Sequence, residues 1–213
     1  MTIPVFANNY LFRRIHSLLA VVPLGLFLAE HLVSNSLMVI GAAKFDAQVR
    51  FLQGLPFLLV LEFGLILLPL ALHGLYGLYV TLTGQVNLVR YPYGRNWAYV
   101  LQRLTGLATF VFVGWHFWTL RLHSYLAKEL ITFNDLAVIF ANPLLAAIYT
   151  LATICALYHF LNGLWGFCLD WGIVTGPKAQ ASLARFLWAA FGVLSVVCVV
   201  FAVIISRASM ALI

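Results

Sequence analysis

Charge is scarce in this chain. Of 213 residues only 8% are Asp, Glu, Lys or Arg, and acids are outnumbered by bases, six to twelve. A soluble domain of this length needs far more charged surface, so that class is excluded. Cysteine is also rare: Cys155, Cys168 and Cys198 form no CxxC pair, lie in or beside apolar runs, and read as packing residues. No CxxCH offers covalent cofactor attachment, and no GxGxxG, Walker A sequence or cysteine run suits a nucleotide or an iron–sulfur cluster. What fills the chain instead is hydrophobic residues, 64% of the total.

The apolar runs are continuous and long rather than alternating ten-residue segments. Lipid cannot satisfy a free backbone group, so such runs span as helices. The expected fold is an all-α membrane protein, a single membrane domain over 1–213 with five transmembrane helices in an antiparallel bundle. The spans fall at about 11–40, 57–83, 97–126, 142–169 and 183–206. Gly54-Leu55-Pro56, Tyr91-Pro92-Tyr93-Gly94, Asn142-Pro143 and Gly176-Pro177 punctuate the connections. The first span follows Arg13-Arg14, but it is too long for a signal h-region and carries Glu30 and His31. Seven Lys or Arg collect on the side of the N-terminus and five on the other, which favours a cytoplasmic N-terminus.

Against this apolar background four histidines stand out, one in each of the first four spans: His31, His73, His116 and His159, at intervals of 42, 43 and 43 residues. An ionisable group inside a bilayer is costly and needs a partner there. Depth follows from a helical rise of about 1.5 Å per residue. His31 and His116 lie roughly 27–29 Å from the N-terminal side, whereas His73 and His159 lie about 15 Å in. Antiparallel threading thus sorts them into an outer pair on the first and third spans and an inner pair on the second and fourth. Two imidazoles from facing helices at one depth are what a bis-histidine haem requires, with both axial positions filled and electron transfer favoured. Without CxxCH such haems are not c-type and are held non-covalently. Hydrogen-bonded packing histidines or a proton relay are the alternatives.

Other residues surround these four. His16 and Ser17 flank the stripe of His31, about 60° and 40° to either side. With Arg13 and Arg14 they are candidates to hold the propionates of the inner haem, or to anchor at the headgroups. His123 returns to the His116 face near the outer surface. Glu62, eleven residues before His73, points into the bundle near the outer pair; an intramembrane carboxylate suggests proton transfer at a quinone, or a structural bond to a neighbouring helix. Glu30 lies about 100° round from His31. Gly74, Gly77, Gly114, Gly163 and Gly166 permit close approach of a macrocycle or a helix.

The run FRRIHSLLAVVPLGLFLAEHLVSN resembles the start of the five-helix dihaem cytochrome b membrane-anchor subunit of succinate:menaquinone oxidoreductase or quinol:fumarate reductase. LPLALHGLYGLY around His73, RNWAYVLQRLTG and GWHFW leading through His116, YHFLNGLWGF around His159 and the following WGIVTGPKAQ extend the resemblance over essentially the whole chain. It implies two haem b, the outer on His31 and His116 and the inner on His73 and His159. It also implies a menaquinone site near the outer haem, where Glu62 falls. Two soluble partners are implied on the cytoplasmic face of a bacterial membrane, a flavoprotein with FAD and the dicarboxylate site and an iron–sulfur subunit.

The function expected is therefore electron transfer between that iron–sulfur subunit and menaquinone, in either direction. Another quinone-linked dihaem cytochrome b is an alternative, but bc-type cores place two ligands on each of two helices, and only the first span approaches that spacing, through His16 and His31. A histidine-relay proton transporter is the third reading; five non-repeating spans do not suggest inverted repeats.

Overall fold

A computed structural model describes residues 10–210. Among them there is no strand. Five long helices carry the apolar runs: α1 (Tyr10–Val39), α3 (Leu58–Thr83), α4 (94–127), α6 (Pro143–Asp170) and α7 (Pro177–Met210). All but α4 are apolar enough to cross a membrane by length and composition alone. Helix α4 is as long, but Arg95, Arg103 and Arg121 interrupt it. The chain is an all-helical membrane bundle. Its outward surface carries large apolar side chains such as Leu26, Val60, Leu104, Leu151 and Val196, the composition a lipid-facing surface needs.

Two further, shorter helices sit in the connections. Helix α2 (Ala42–Gln53) follows Gly41, whose φ of 133° suits glycine, and α5 (Phe133–Ala141) opens on a capping box. The Asp135 carboxylate accepts the Thr132 backbone N–H at 2.7 Å, and the Asp46 carboxylate of α2 accepts the Phe133 N–H at 2.7 Å. One acid on each helix therefore satisfies the orphan donors at the start of α5, which pins α2 to it. Phe45 stacks edge-on against Phe133, and with Met38, Leu136, Phe140, Tyr149 and Ile205 they form a buried cluster at one end of the bundle.

The helix ends at that cluster are the C-termini of α1 and α7 and the N-terminus of α6, as an antiparallel bundle demands. Helix α6 starts cleanly there: Pro143 takes the first position, and the Asn142 side chain accepts from the N–H of Leu144 and Leu145 at 3.0 and 3.2 Å. At the opposite end, Arg14 of α1 donates to the Asp170 carbonyl of α6 at 3.0 Å, and its guanidinium lies between the rings of Tyr10 and Trp171. In the middle α6 packs along both α4 and α7, and the first half of α1 packs on α3 and α6.

Three stretches depart from α geometry, the first a 3-10 turn at Leu37–Val39 that ends α1. Residues Glu62–Leu67 of α3 and Phe117–Leu122 of α4 form wider π turns. In α3 the cause is local, because Pro69 lacks an N–H and its ring excludes the carbonyl four residues back, at Leu65. Such turns re-aim side chains and recur at functional positions. These two hold Glu62 and Arg121.

Candidate cofactor site: two histidine pairs

The fold brings the four span histidines together in twos. His31 of α1 faces His116 of α4 with ring centroids 5.8 Å apart and planes at 83°. His73 of α3 faces His159 of α6 at 6.1 Å and 73°. The rings of each pair meet edge to face and do not stack. Among the described residues no group of three or more His, Cys, Asp or Glu could hold a metal ion. Each pair therefore offers two imidazole nitrogens and no further protein ligand.

The inner pair is oriented by the backbone. His73 Nδ1 lies 3.1 Å from the carbonyl of His16, and His159 Nδ1 lies 3.0 Å from the carbonyl of Gln102. A carbonyl only accepts, so both Nδ1 atoms carry the proton and both Nε2 atoms keep a free lone pair. In the outer pair His116 Nδ1 is 3.4 Å from the Tyr149 hydroxyl, while Phe112 stacks on its ring at 5.6 Å and 20°. Glycines make room for the inner rings. A Cβ at Gly106 would sit 2.6 Å from His159 Cε1, and one at Gly77 would sit 3.2 Å from His16 Cε1.

The cationic end of the bundle lies beyond the inner pair. His16 stacks flat on His73, with centroids 4.1 Å apart and 10° between planes, so it lies against the inner pair. Ser17 donates to the Arg14 carbonyl at 3.0 Å and accepts from Trp171 Nε1 at 3.2 Å. Arg103 packs over Tyr99 and approaches the Val80 carbonyl at 3.4 Å. Arg14 Nε, His16 Nδ1, Arg103 Nε and the Tyr79 hydroxyl are buried with no hydrogen-bond partner. A buried donor left unpaired costs roughly 1–3 kcal/mol, so each calls for an acceptor.

Glu62 is placed at the other end. Arg121 grips its carboxylate with two bonds, 2.8 and 2.9 Å, linking α3 to α4. Both side chains retain access to the surroundings, at 23% and 24% exposure. The bidentate geometry is the stronger form of an Arg–carboxylate pair. Nearby, Ser34 hydrogen-bonds the exposed Glu30 of its own helix and accepts from Gln48 Nε2 of α2 at 3.1 Å. His123 is exposed.

Sequence reasoning missed Arg121 as the partner of Glu62, counting it only among the cations near helix ends. It also missed Gln102, Asn162 and Trp171. The available signal was polarity: Gln102 and Asn162 are uncharged polar residues inside otherwise apolar spans, where each needs a bond.

These features define a class, a multi-pass helical membrane protein with paired intramembrane histidines. The family model described as "Succinate dehydrogenase/Fumarate reductase transmembrane subunit" matches residues 85–202, a stretch that contains His116 and His159. Over 173 residues, 81% of this chain and 85% of the relative, the sequence is 41% identical to the succinate dehydrogenase cytochrome b558 subunit of Bacillus subtilis (strain 168). The chain belongs to the succinate dehydrogenase/fumarate reductase transmembrane subunit family.

Proposed function

We propose that the chain is the electron-transferring dihaem anchor of such a complex, with His31 and His116 binding the outer haem b and His73 and His159 the inner. The observation that carries this is the geometry of the pairs. Two imidazoles and no third ligand suit a metal whose remaining ligands arrive with it, as the iron of a haem does. Metal–imidazole bonds of about 2 Å each are within reach of rings at these separations. The unpartnered donors of Arg14, His16 and Arg103 fit the anionic edge of the same group, with Ser17 beside them. When bound, the haems supply one-electron carriers at two depths of the membrane.

The residues of the chain do the rest. The carbonyls of His16 and Gln102 fix the ligand tautomers, because each Nδ1–H is committed to a backbone oxygen. The same bonds speak against a histidine relay, since a backbone carbonyl cannot pass the proton on. At the far end Glu62, held by Arg121, is placed to exchange protons with menaquinone. The cationic end faces the cytoplasm of a bacterium by the balance of Lys and Arg, and there the iron–sulfur and flavoprotein subunits dock. Electrons pass between the iron–sulfur subunit, the inner site, the outer site and the quinone.

Reduced-minus-oxidised spectra of the purified complex, with a redox titration, test this. The wild type should show two b-type components, and His73→Ala or His159→Ala should remove one of them. His123→Ala should keep both. Two unchanged components in His73→Ala would overturn the assignment.

A further inference from the structure

Of the four span histidines, His159 alone is held at both its ring and its backbone by one residue. Its Nδ1–H donates to the Gln102 carbonyl at 3.0 Å, and the Gln102 side chain returns the bond, Nε2 donating to the His159 carbonyl at 3.0 Å. The remaining oxygen of that carboxamide accepts from Asn162 Nδ2 at 2.8 Å. The His159 carbonyl can only accept, so the NH2 of the amide is aimed at it, and Asn162 holds the opposite oxygen.

The two carbonyls share a further property. Each already accepts the helical N–H four residues ahead, so a second donor must enter beside that residue. Four residues after Gln102 stands Gly106, and four after His159 stands Gly163. A Cβ at Gly106 would meet His159 Cε1 at 2.6 Å, and one at Gly163 would meet Gln102 Nε2 at 3.3 Å. Both glycines lie where a side chain would obstruct the incoming donor. The bonds and the glycines thus form one reciprocal contact between α4 and α6.

We propose that Gln102 is a positioning residue for His159, setting the plane and tautomer of its imidazole, and that Asn162 acts through Gln102 by locking its amide. The proposal rests on the reading of His159 as an inner-haem ligand. Partners that accept from a ligating imidazole raise its basicity and fix its orientation. Here that acceptor is the Gln102 backbone carbonyl, which a side-chain substitution leaves in place, and the side-chain bond to the His159 carbonyl holds it against the ring. A stronger imidazole donor favours ferric iron. Loosening the latch should therefore raise the midpoint potential of the inner haem and turn its ligand plane, leaving the outer haem untouched.

The test uses the assembled complex carrying Gln102→Leu, Asn162→Leu or both. Redox titration reads the potential of each haem. Electron paramagnetic resonance of the oxidised complex reads the angle between each pair of imidazole planes. The expected result is an upward shift and a moved resonance for the inner haem only, with the double variant no further shifted than Gln102→Leu alone. An inner haem that is present but unchanged in both readouts overturns the latch, as do equal shifts in the two haems. Additive shifts in the double variant overturn the role of Asn162. If Gln102→Leu fails to assemble, Asn162→Leu, which touches no ligand, decides by the same readouts. His159→Ala with both haems retained would instead refute the ligand reading itself.

Discussion

Gly106→Ala pits helix propensity against the inner site. The new methyl group would begin 2.6 Å from His159 Cε1 and 2.9 Å from Nδ1, where ordinary contact starts at 3.4 Å, so the ring must retreat by 3.4 − 2.6 = 0.8 Å. The ring has little freedom to do so, because its Nδ1–H is bonded at 3.0 Å to the carbonyl of Gln102. Overpacking costs about 1–3 kcal/mol, and stretching that bond beyond range forfeits about 1 kcal/mol more. Alanine recovers roughly 0.5–1 kcal/mol of helix propensity, so a net loss of about 1–3 kcal/mol remains, concentrated on His159. Gly192→Ala is the control: it lies in α7, which joins neither histidine pair, with nothing within 4 Å of its Cβ, and should be neutral or slightly stabilising. Haem content by difference spectroscopy and thermal unfolding of the complex read both variants. Gly106→Ala should lose or weaken the inner component while Gly192→Ala keeps two. Equal behaviour of the two variants would refute the packing argument.

Glu62→Gln should slow quinone turnover with both haems intact and leave Arg121 without its charge partner, at a cost of about 1–3 kcal/mol; unchanged quinone kinetics would take Glu62 out of the reaction. Asn142→Ala removes the acceptor for two N–H groups at the start of α6 and should lower stability by about 1 kcal/mol, seen as a reduced Tm with unaltered spectra. Asp46→Ala should uncouple α2 from α5, making the connection between α1 and α3 more open to protease, whereas Asp46→Asn, which keeps an acceptor, should not.

The long helices were legible because lipid leaves a span few options, and a continuous apolar run records that constraint directly. The histidines could be sorted by counting, since helical rise converts sequence position into depth. What escaped were contacts whose two halves lie far apart in the chain. Asp46 caps a helix that begins 87 residues later, and neither residue carries a mark of the other. Arg121 looked like an interfacial cation, and nothing in its surroundings in the sequence points to Glu62, 59 residues away. Helices α2 and α5 were hidden for a different reason. They are short, and in α2 Lys44, Asp46 and Arg50 dilute the apolar pattern on which span assignment depends. A count by angle set His16 beside the stripe of His31 but could not tell that it stacks on His73.

Each histidine pair takes one ring from an earlier helix and one from a later, α1 with α4 and α3 with α6, and α7 contributes to neither. On the haem reading proposed above, the ligand set would therefore be complete once α6 has been made, before the 34 residues of α7 follow. Neither pair joins successive spans, so two haems bound there would act as crossed staples on the order of four helices. Cofactor capture on this topology would then be a step of assembly as much as of function. The last helix packs on α5 and α6 and takes no part in either pair.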